Sequence, residues 1–210
     1  MLVLKKWTLD GGEPVSKIRI DLPNVMFGTS HVRGNTGTEL RAEHALQIGA
    51  LFTHHLAEKH RRKVTVAVAH DQRNGANAFA HAAAAGAAQR GATVRFFGMM
   101  PMGVISWCAF NHPATGIDGV VLITGSHMAP ERLGIMVLED GLYCDSSVTD
   151  QILNGLQEQC TSTLVAEPMR LGQIQHEDNG WHSNLYLPAM NKLIKEEKMK
   201  HGSSVLKLVF

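Results

Sequence analysis

The apolar run at residues 120–123 constrains the fold of this chain more than any other feature. Its sequence, VVLI, is aliphatic throughout and mostly β-branched, which is typical of a strand buried on both faces of a parallel sheet. The run leads into Thr124-Gly125-Ser126-His127. Because ligands bind beyond the carboxyl ends of strands in open α/β sheets, Ser126 is a candidate reactive hydroxyl. Taken alone, such a tetrapeptide is more often a plain polar loop.

Two further segments bring polar groups to strand ends. The stretch FGTSHVRG at residues 27–34 supplies hydroxyls, a guanidinium and glycine-rich backbone that together suit a phosphate. The apolar strand predicted over 64–68 delivers Asp71 and Arg73 to the same kind of edge. This pair could contact a substrate, but an Asp–Arg pair at a strand end more often fixes a loop by bidentate hydrogen bonds. We therefore favour a structural role for it.

Strand and helix patterns alternate along most of the chain. An apolar stripe predicts a long helix with Thr38 as its N-cap, and Gly91 suits the C-terminal cap of an alanine-rich helix. Met99, Met100 and Met102 are interpreted as core residues. Strands are predicted over 64–68, 93–97, 120–123 and 134–138, and helices over 38–60, 74–89 and 102–110. The alternation predicts an α/β fold, a three-layer α/β/α domain with a mixed, largely parallel sheet.

The pattern is weaker after Gly141. We predict a helix over 147–159, a polar loop or linker over 161–183, a helix over 187–200 and a strand over 204–210. The predicted division of the chain is an N-terminal extension (1–24), the α/β domain (25–160), a linker (161–186) and the start of a second, truncated domain (187–210).

Taken in order, FGTSHVRG, VAVAHDQR and GVVLITGSHMAP followed by LGI resemble the N-terminal domain of the phosphohexomutases, the phosphoglucomutase and phosphomannomutase family. The resemblance covers residues 25–142 and implies the fold of that family's phosphoserine domain. It implies that Ser126 carries a phosphate, donates it to one hydroxyl of a hexose phosphate and recovers it from another. The 1-phosphate and 6-phosphate would then interconvert through a hexose 1,6-bisphosphate, which also acts as activator.

The resemblance also implies a role for each site residue. Ser126, His127 and Arg33 would be catalytic, while Thr29, Ser30 and Arg33 would bind the substrate. Mg²⁺ would be the metal cofactor, and this chain would offer it only a phosphate oxygen on Ser126, since no D-x-D-x-D sequence occurs here. The metal loop, the sugar-selecting loop and the distal phosphate clamp would lie in missing C-terminal domains, on the same chain or a separate one.

Three positions depart from the family's motifs. Met128 stands where the family has Asn, Met136 where it has Lys, and His31 where it has Gly. A thioether neither carries charge nor donates a strong hydrogen bond, so the two methionines argue for a diverged or weakened site. His31 and Arg132 are candidates to compensate. The chain is therefore expected to be a phosphohexomutase that is inactive in isolation, or a catalytically inactive phosphosugar-binding or assembly module.

Composition is typical of a globular cytoplasmic enzyme domain. The formal net charge is +1 and 44% of the residues are hydrophobic, which favours neither nucleic acid nor disorder. Neither a signal peptide nor a membrane span is evident, so we expect a cytoplasmic protein without a membrane partner. The three cysteines lack metal-type spacing and are expected to be reduced thiols; they are Cys108, Cys144 and Cys160.

A group of metal-ligand residue types lies near one helix end. His54 and Glu58 have a helical spacing that a metal could use, and His55 and His60 lie beside them. Such a set is more often a solvated helix face, and no H-E-x-x-H sequence is present. A hydrolase-type nucleophile elbow is also disfavoured, because G-x-S-x-G is absent around Ser126.

Overall fold

The structure, a computed structural model, describes residues 27–28, 31–111, 115–157, 171–178 and 180–201. Its strands are β1 (Phe27–Gly28), β2 (His31–Asn35), β3 (Thr65–His70), β4 (Thr93–Met99), β5 (Gly119–Ile123), β6 (Arg132–Glu139), β7 (Leu142–Tyr143) and β8 (Gln173–His176). Its helices are α1 (Ala42–His60), α2 (Ala76–Gln89), α3 (Met102–Phe110), α4 (Ser146–Gln157) and α5 (Leu187–His201), with a π-helix at Trp181–Tyr186. The predicted N-terminal extension, Thr29, Ser30, Cys160 and the predicted strand over 204–210 lie outside the described residues.

One mixed sheet organises the molecule, with strand order β1-β2-β6-β5-β3-β4-β8 and β7 paired to β6. Strands β4 and β5 run parallel to β3 on its two sides, and β8 runs parallel to β4. Strand β6 is antiparallel to both β5 and β2. The chain leaves β3 through α2 to one side and returns through α3 to the other. The topological switch point, where open α/β sheets bind ligands, therefore lies between β3 and β5.

Helices cover both faces of the sheet, which confirms the predicted three-layer α/β/α fold. Helices α1, α2 and α4 bury their apolar residues against one face, together with Val121, Ile123 and Ile135. Helix α3 packs on the other face against Leu122 and Met136. Strand β5 thus points alternate residues into two cores, as its uniformly apolar sequence predicts.

Helices α1 and α2 touch through glycines. A Cβ on Gly49 would collide with the carbonyl oxygen of Ala83, and one on Gly86 with the carbonyl oxygen of Leu46. The lack of side chains at these two positions lets the helix backbones meet. The small residues of α2 therefore serve its contact with α1 as well as its packing on the sheet.

The predicted N-cap at Thr38 is wrong. Helix α1 begins at Ala42 with Arg41 as its N-cap, and the Arg41 backbone N–H donates to Nδ1 of His44 at 3.0 Å. The preceding residues form a turn instead, in which Glu39 Oε2 accepts a hydrogen bond from the Asn35 backbone N–H at 2.8 Å. A histidine side chain thus fills the reciprocal role usual for Glu or Gln in a capping box.

The segment predicted as a polar loop over 161–183 contains ordered elements where it is described. Strand β8 extends the sheet beside β4, and the Trp181 ring packs edge-on against Phe97 at 5.2 Å between ring centroids. The Arg95 guanidinium lies 4.1 Å from the Trp181 ring centroid and binds Glu177 Oε1. These contacts fasten the segment to the domain through aromatic and cation–π interactions.

Candidate active site

Ser126 lies at the switch point, just beyond the carboxyl end of β5. Its side chain is exposed, and its Oγ is 3.2 Å from Nδ1 of His127. Its backbone has φ of 49°, a left-handed conformation that is uncommon for a residue other than glycine. The Ser126 backbone N–H donates to Thr124 Oγ1 at 3.2 Å. The loop thus presents one hydroxyl outward, next to an imidazole that can exchange a proton with it.

The Arg73 side chain holds this loop by hydrogen bonds to its backbone. Its guanidinium donates to the backbone carbonyl oxygens of Ser126 and Met128 at 2.7 Å each, of Ala129 at 2.6 Å and of Arg132 at 3.2 Å. A Cβ on Gly125 would collide with the Arg73 side chain, so the guanidinium can keep this position only because residue 125 has no side chain. The guanidinium therefore fixes the course of the chain on both sides of Ser126.

Asp71 completes the support. Its Oδ1 accepts from the Arg73 backbone N–H at 3.0 Å and its Oδ2 accepts from the Gly125 backbone N–H at 2.9 Å. The Arg73 Nε lies 3.4 Å from Oδ2. Both carboxylate oxygens are thus engaged in holding the loop. These contacts support the structural role predicted for the Asp71 and Arg73 pair.

Arg33 reaches the site from the neighbouring strand. It is half-buried on β2, where its Cα pairs with that of Gly134 on β6. A Cβ on Gly134 would lie 3.2 Å from Cγ of Arg33 and 2.9 Å from the carbonyl oxygen of Thr124. Cγ of Arg33 therefore lies over Gly134 of β6, close to the chain that follows β5. The structure brings Arg33, Ser126 and His127 to the same edge of the sheet.

Met136 occupies a buried position in the sheet. Its Cα pairs with Leu122 on one side and His31 on the other, and only 4% of its surface is exposed. The side chain packs in the core beneath α3. This position therefore has an apolar environment in which a charged side chain would lose its hydration.

A cavity of about 330 Å³ opens beside Thr124. Its wall includes Gln72 and three methionines, of which Met99 is 63% and Met102 38% exposed. Only Met100 is buried, so the interpretation of all three methionines as core residues is wrong for two of them. Sequence patterning missed this wall because the loop after β4 carries no polar residue that would mark it as part of a site.

Two histidines of α1, His54 and His55, pair with side chains from other elements. Nδ1 of His54 is 2.6 Å from Nη2 of Arg90, and burial and this arginine lower the pKa of His54. Nε2 of His55 is 3.3 Å from Oε1 of Glu139. Within the described ranges, no group of three or more His, Cys, Asp or Glu side chains could hold a metal ion.

The two described cysteines, Cys108 and Cys144, are buried thiols that belong to no disulfide. Burial raises the pKa of the Cys108 thiol to about 11 and that of Cys144 to about 12. Neither forms thiolate at neutral pH, so neither is a candidate nucleophile.

In the part of the chain that the structure covers, no helix is long and apolar enough to cross a bilayer.

Curated relatives of this chain are sugar-phosphate mutases. It is 31% identical over 166 residues to a phosphoglucosamine mutase of Picosynechococcus, covering 78% of this chain and 34% of that protein. It is 37% identical over 114 residues to a phosphoglucomutase/phosphomannomutase of Thermococcus kodakarensis, covering 54% and 24% respectively. The aligned region thus spans about a third or less of the length of these relatives.

A solved structure and a family model agree with these relatives. A phosphoglucomutase/phosphomannomutase family protein from Burkholderia thailandensis superposes with a TM-score of 0.57 at 26% identity, over 71% of this chain and 32% of that one. Residues 24–162 match the model of the phosphoglucomutase/phosphomannomutase α/β/α domain I. The chain belongs to the phosphoglucomutase/phosphomannomutase family, and its residues 24–162 correspond to the first domain of that family.

Proposed function

We propose that this chain is the phosphoserine domain of a phosphohexomutase, which interconverts the 1-phosphate and 6-phosphate of a hexose through phospho-Ser126. The observation that carries the proposal is the placement of an exposed serine, in a loop held by Arg73, at the switch point of a domain of this family. A rigid loop suits phosphoryl transfer, because this reaction depends on positioning and charge more than on covalent assistance.

Each residue has a distinct role in the proposed transfer. The Ser126 Oγ–phosphorus bond breaks as phosphorus bonds to a sugar hydroxyl oxygen, and the reverse step restores the phosphoserine from the bisphosphate. His127, with Nδ1 at 3.2 Å from Ser126 Oγ, passes the proton that the sugar hydroxyl loses to the departing serine oxygen, and in the return step passes the serine proton back to the sugar oxygen. Arg33 neutralises charge on the phosphoryl group. Thr29 and Ser30 remain proposed substrate contacts.

The described residues do not by themselves fit a Mg²⁺ site. Asp71 is the carboxylate that binds the Ser126 loop, and both its oxygens already accept hydrogen bonds, one from the Arg73 backbone N–H and one from the Gly125 backbone N–H. A hard cation needs several free oxygen ligands. If Mg²⁺ acts here with a hexose 1,6-bisphosphate, the carboxylates that bind the metal come from other parts of the protein.

We propose the cytoplasm as the location of this protein and hexose phosphates as its substrates.

We expect Ser126 to be the residue that takes up phosphate. The protein, supplied with its remaining domains, is incubated with a hexose 1,6-bisphosphate and Mg²⁺, and the phosphate is mapped by mass spectrometry. Ser126→Ala is the matched control and should remain unlabelled. Phosphate on another residue, or an unlabelled Ser126 in the completed protein, would contradict the assignment.

The 210-residue chain alone is expected to show no appreciable mutase turnover. Phosphoryl transfer needs positive charge around the phosphoryl group and residues that bind the other phosphate of the sugar. One domain supplies only part of these contacts. The check is a coupled assay with glucose 1-phosphate and mannose 1-phosphate. Turnover that survives removal of host mutase, and is lost in Ser126→Ala, would overturn this expectation.

A catalytically inactive phosphosugar-binding module of the same fold is the second candidate. The observation that favours it is the burial of Met136 at the position of the family's lysine. In that case the completed protein would bind hexose phosphate without phosphorylating Ser126. Equilibrium binding measured beside the phosphate mapping separates the two functions.

A further inference from the structure

We propose that Arg132 and Arg33 together bind the phosphoryl group at Ser126, and that Arg132 supplies a positive charge which Met136 cannot. The inference rests on the function proposed above. It adds a phosphate-binding residue, Arg132, at a position to which the family's motifs assign no role. It is carried by the position of Arg132, by the face of the sheet on which it lies and by the charges around it.

The Arg132 backbone lies next to Ser126 although five residues separate them in sequence. One guanidinium, that of Arg73, bonds both backbones: Nη2 to the carbonyl oxygen of Ser126 at 2.7 Å and Nη1 to that of Arg132 at 3.2 Å. Two carbonyls held by one planar fork must lie within a few ångströms of each other. The return of the loop into β6 therefore brings the Arg132 backbone beside the serine.

Arg132 and Arg33 share one face of the sheet. Leu133 and Ile135 point into the core beneath α1 and α2, so the alternating residues of β6, beginning at Arg132, point to the opposite face. The same alternation places Arg33 on that face, because Val32 is in the first core. Arg33 pairs with Gly134 and is thus a diagonal neighbour of Arg132, at about 7–8 Å between Cα atoms.

The two arginines have no acid to neutralise them in the described part of the chain. Both are half-buried, and neither side chain has a hydrogen bond or ion pair there. Asp71 is engaged by Arg73 and the Gly125 backbone N–H, and Glu39 accepts from the Asn35 backbone.

Partly desolvated guanidiniums without an acid partner favour an anionic ligand, and two planar forks match the oxygens of a phosphate dianion. Arg73 cannot take this part, because carbonyl oxygens of the loop occupy its donors. A cation on β6 near Ser126 must therefore come from Arg132, since Met136 lies four residues farther along the strand and in the core.

The test uses the full 210-residue chain with phosphoserine incorporated at position 126 during translation. Phosphorus NMR follows the second pKa of that phosphate, which is about 6 for an unperturbed group. We expect Arg132→Gln and Arg33→Gln each to raise this pKa by roughly half a unit or more, because nearby cations stabilise the dianion. Arg132→Lys, which keeps the charge but loses the fork, should fall between the parent and Arg132→Gln.

Lys63→Gln is the matched control for charge. Lys63 is exposed and precedes β3, at the end of the sheet opposite Ser126, so screening should hold its effect below about 0.1 unit. A second measurement needs no substitution at the arginine: the Nε–H resonance of Arg132 should move when Ser126 is replaced by phosphoserine. An Arg132→Gln shift no larger than that of Lys63→Gln, or an unmoved resonance, overturns the proposal.

The test of the two arginines can fail or succeed independently of the test of the proposed mutase function, because the phosphate on Ser126 is introduced during translation and not by enzymatic transfer. If the arginine effects are found but a bisphosphate never labels Ser126 in the completed protein, the arginine pair stands and the mutase function fails. If Ser126 is labelled while Arg132→Gln behaves like the control, only the role of Arg132 fails.

Discussion

Arg73→Met is expected to free the loop at residues 125–132 and to speed its amide hydrogen exchange at least about 100-fold, which corresponds to roughly 2.7 kcal/mol. The substitution removes four hydrogen bonds from a charged donor to carbonyl oxygens, each of which is typically worth more than a neutral bond. It also leaves Asp71 without its cation. Exchange measured residue by residue should show the change confined to this loop and the turn after β3.

Two further variants test whether Arg73 acts through the geometry of its fork. Gly125→Ala should reproduce the effect, because the new Cβ would displace the guanidinium. Arg73→Lys should recover only part of the protection, since an ammonium cannot reach four carbonyls at once. Arg61→Met, at an exposed position after α1, is the control. Unchanged exchange in Arg73→Met, or equal acceleration in Arg61→Met, would show that the loop does not depend on this contact.

The sequence predicted most reliably the features whose signals are local. The run VVLI at 120–123 predicted a doubly buried strand, and β5 places its residues in both cores. The polar cluster after it was expected at the sheet edge, and Ser126 lies there. Both inferences needed only the apolar pattern and the rule that ligands gather at the carboxyl ends of parallel strands.

Features that depend on distant partners were not predictable in this way. Strand β8 is exposed on all of its residues, so it has no apolar pattern, and only pairing with β4 makes it a strand. The N-cap of α1 depends on a histidine side chain, which is unusual in a capping box. Whether Arg132 reaches Ser126 is decided by the path of the loop around Arg73, which no local spacing encodes.

Met136→Lys tests what the buried methionine means for the site. With only 4% of Met136 exposed, a lysine ammonium would be placed among the apolar residues beneath α3. We expect a loss of about 3 kcal/mol in the free energy of unfolding and a melting temperature lower by roughly 6–12 °C at neutral pH. Met136→Leu, which keeps the volume and the apolarity, should lose less than about 1.5 kcal/mol.

The pH dependence identifies the cause of that loss. Burial lowers the pKa of a lysine in the folded state, so its folding penalty is complete below that lowered pKa and disappears as the pH rises toward about 10.4, the value of the unfolded chain. The difference in stability between Met136→Lys and Met136→Leu should therefore narrow in alkaline solution. A constant difference would point to poor packing instead of a buried charge.

The same substitution, made in the protein completed with its other domains, separates the two functional candidates. A gain in the rate of Ser126 phosphorylation despite the lower stability would mean that the lysine ammonium reaches the phosphoryl group and that the site is a weakened enzyme. Lower stability with no gain would favour the inactive module or a site in which Arg132 already supplies the charge. Arg132→Gln in the Met136→Lys background decides between these, because only a site that uses Arg132 loses phosphate affinity when it is removed.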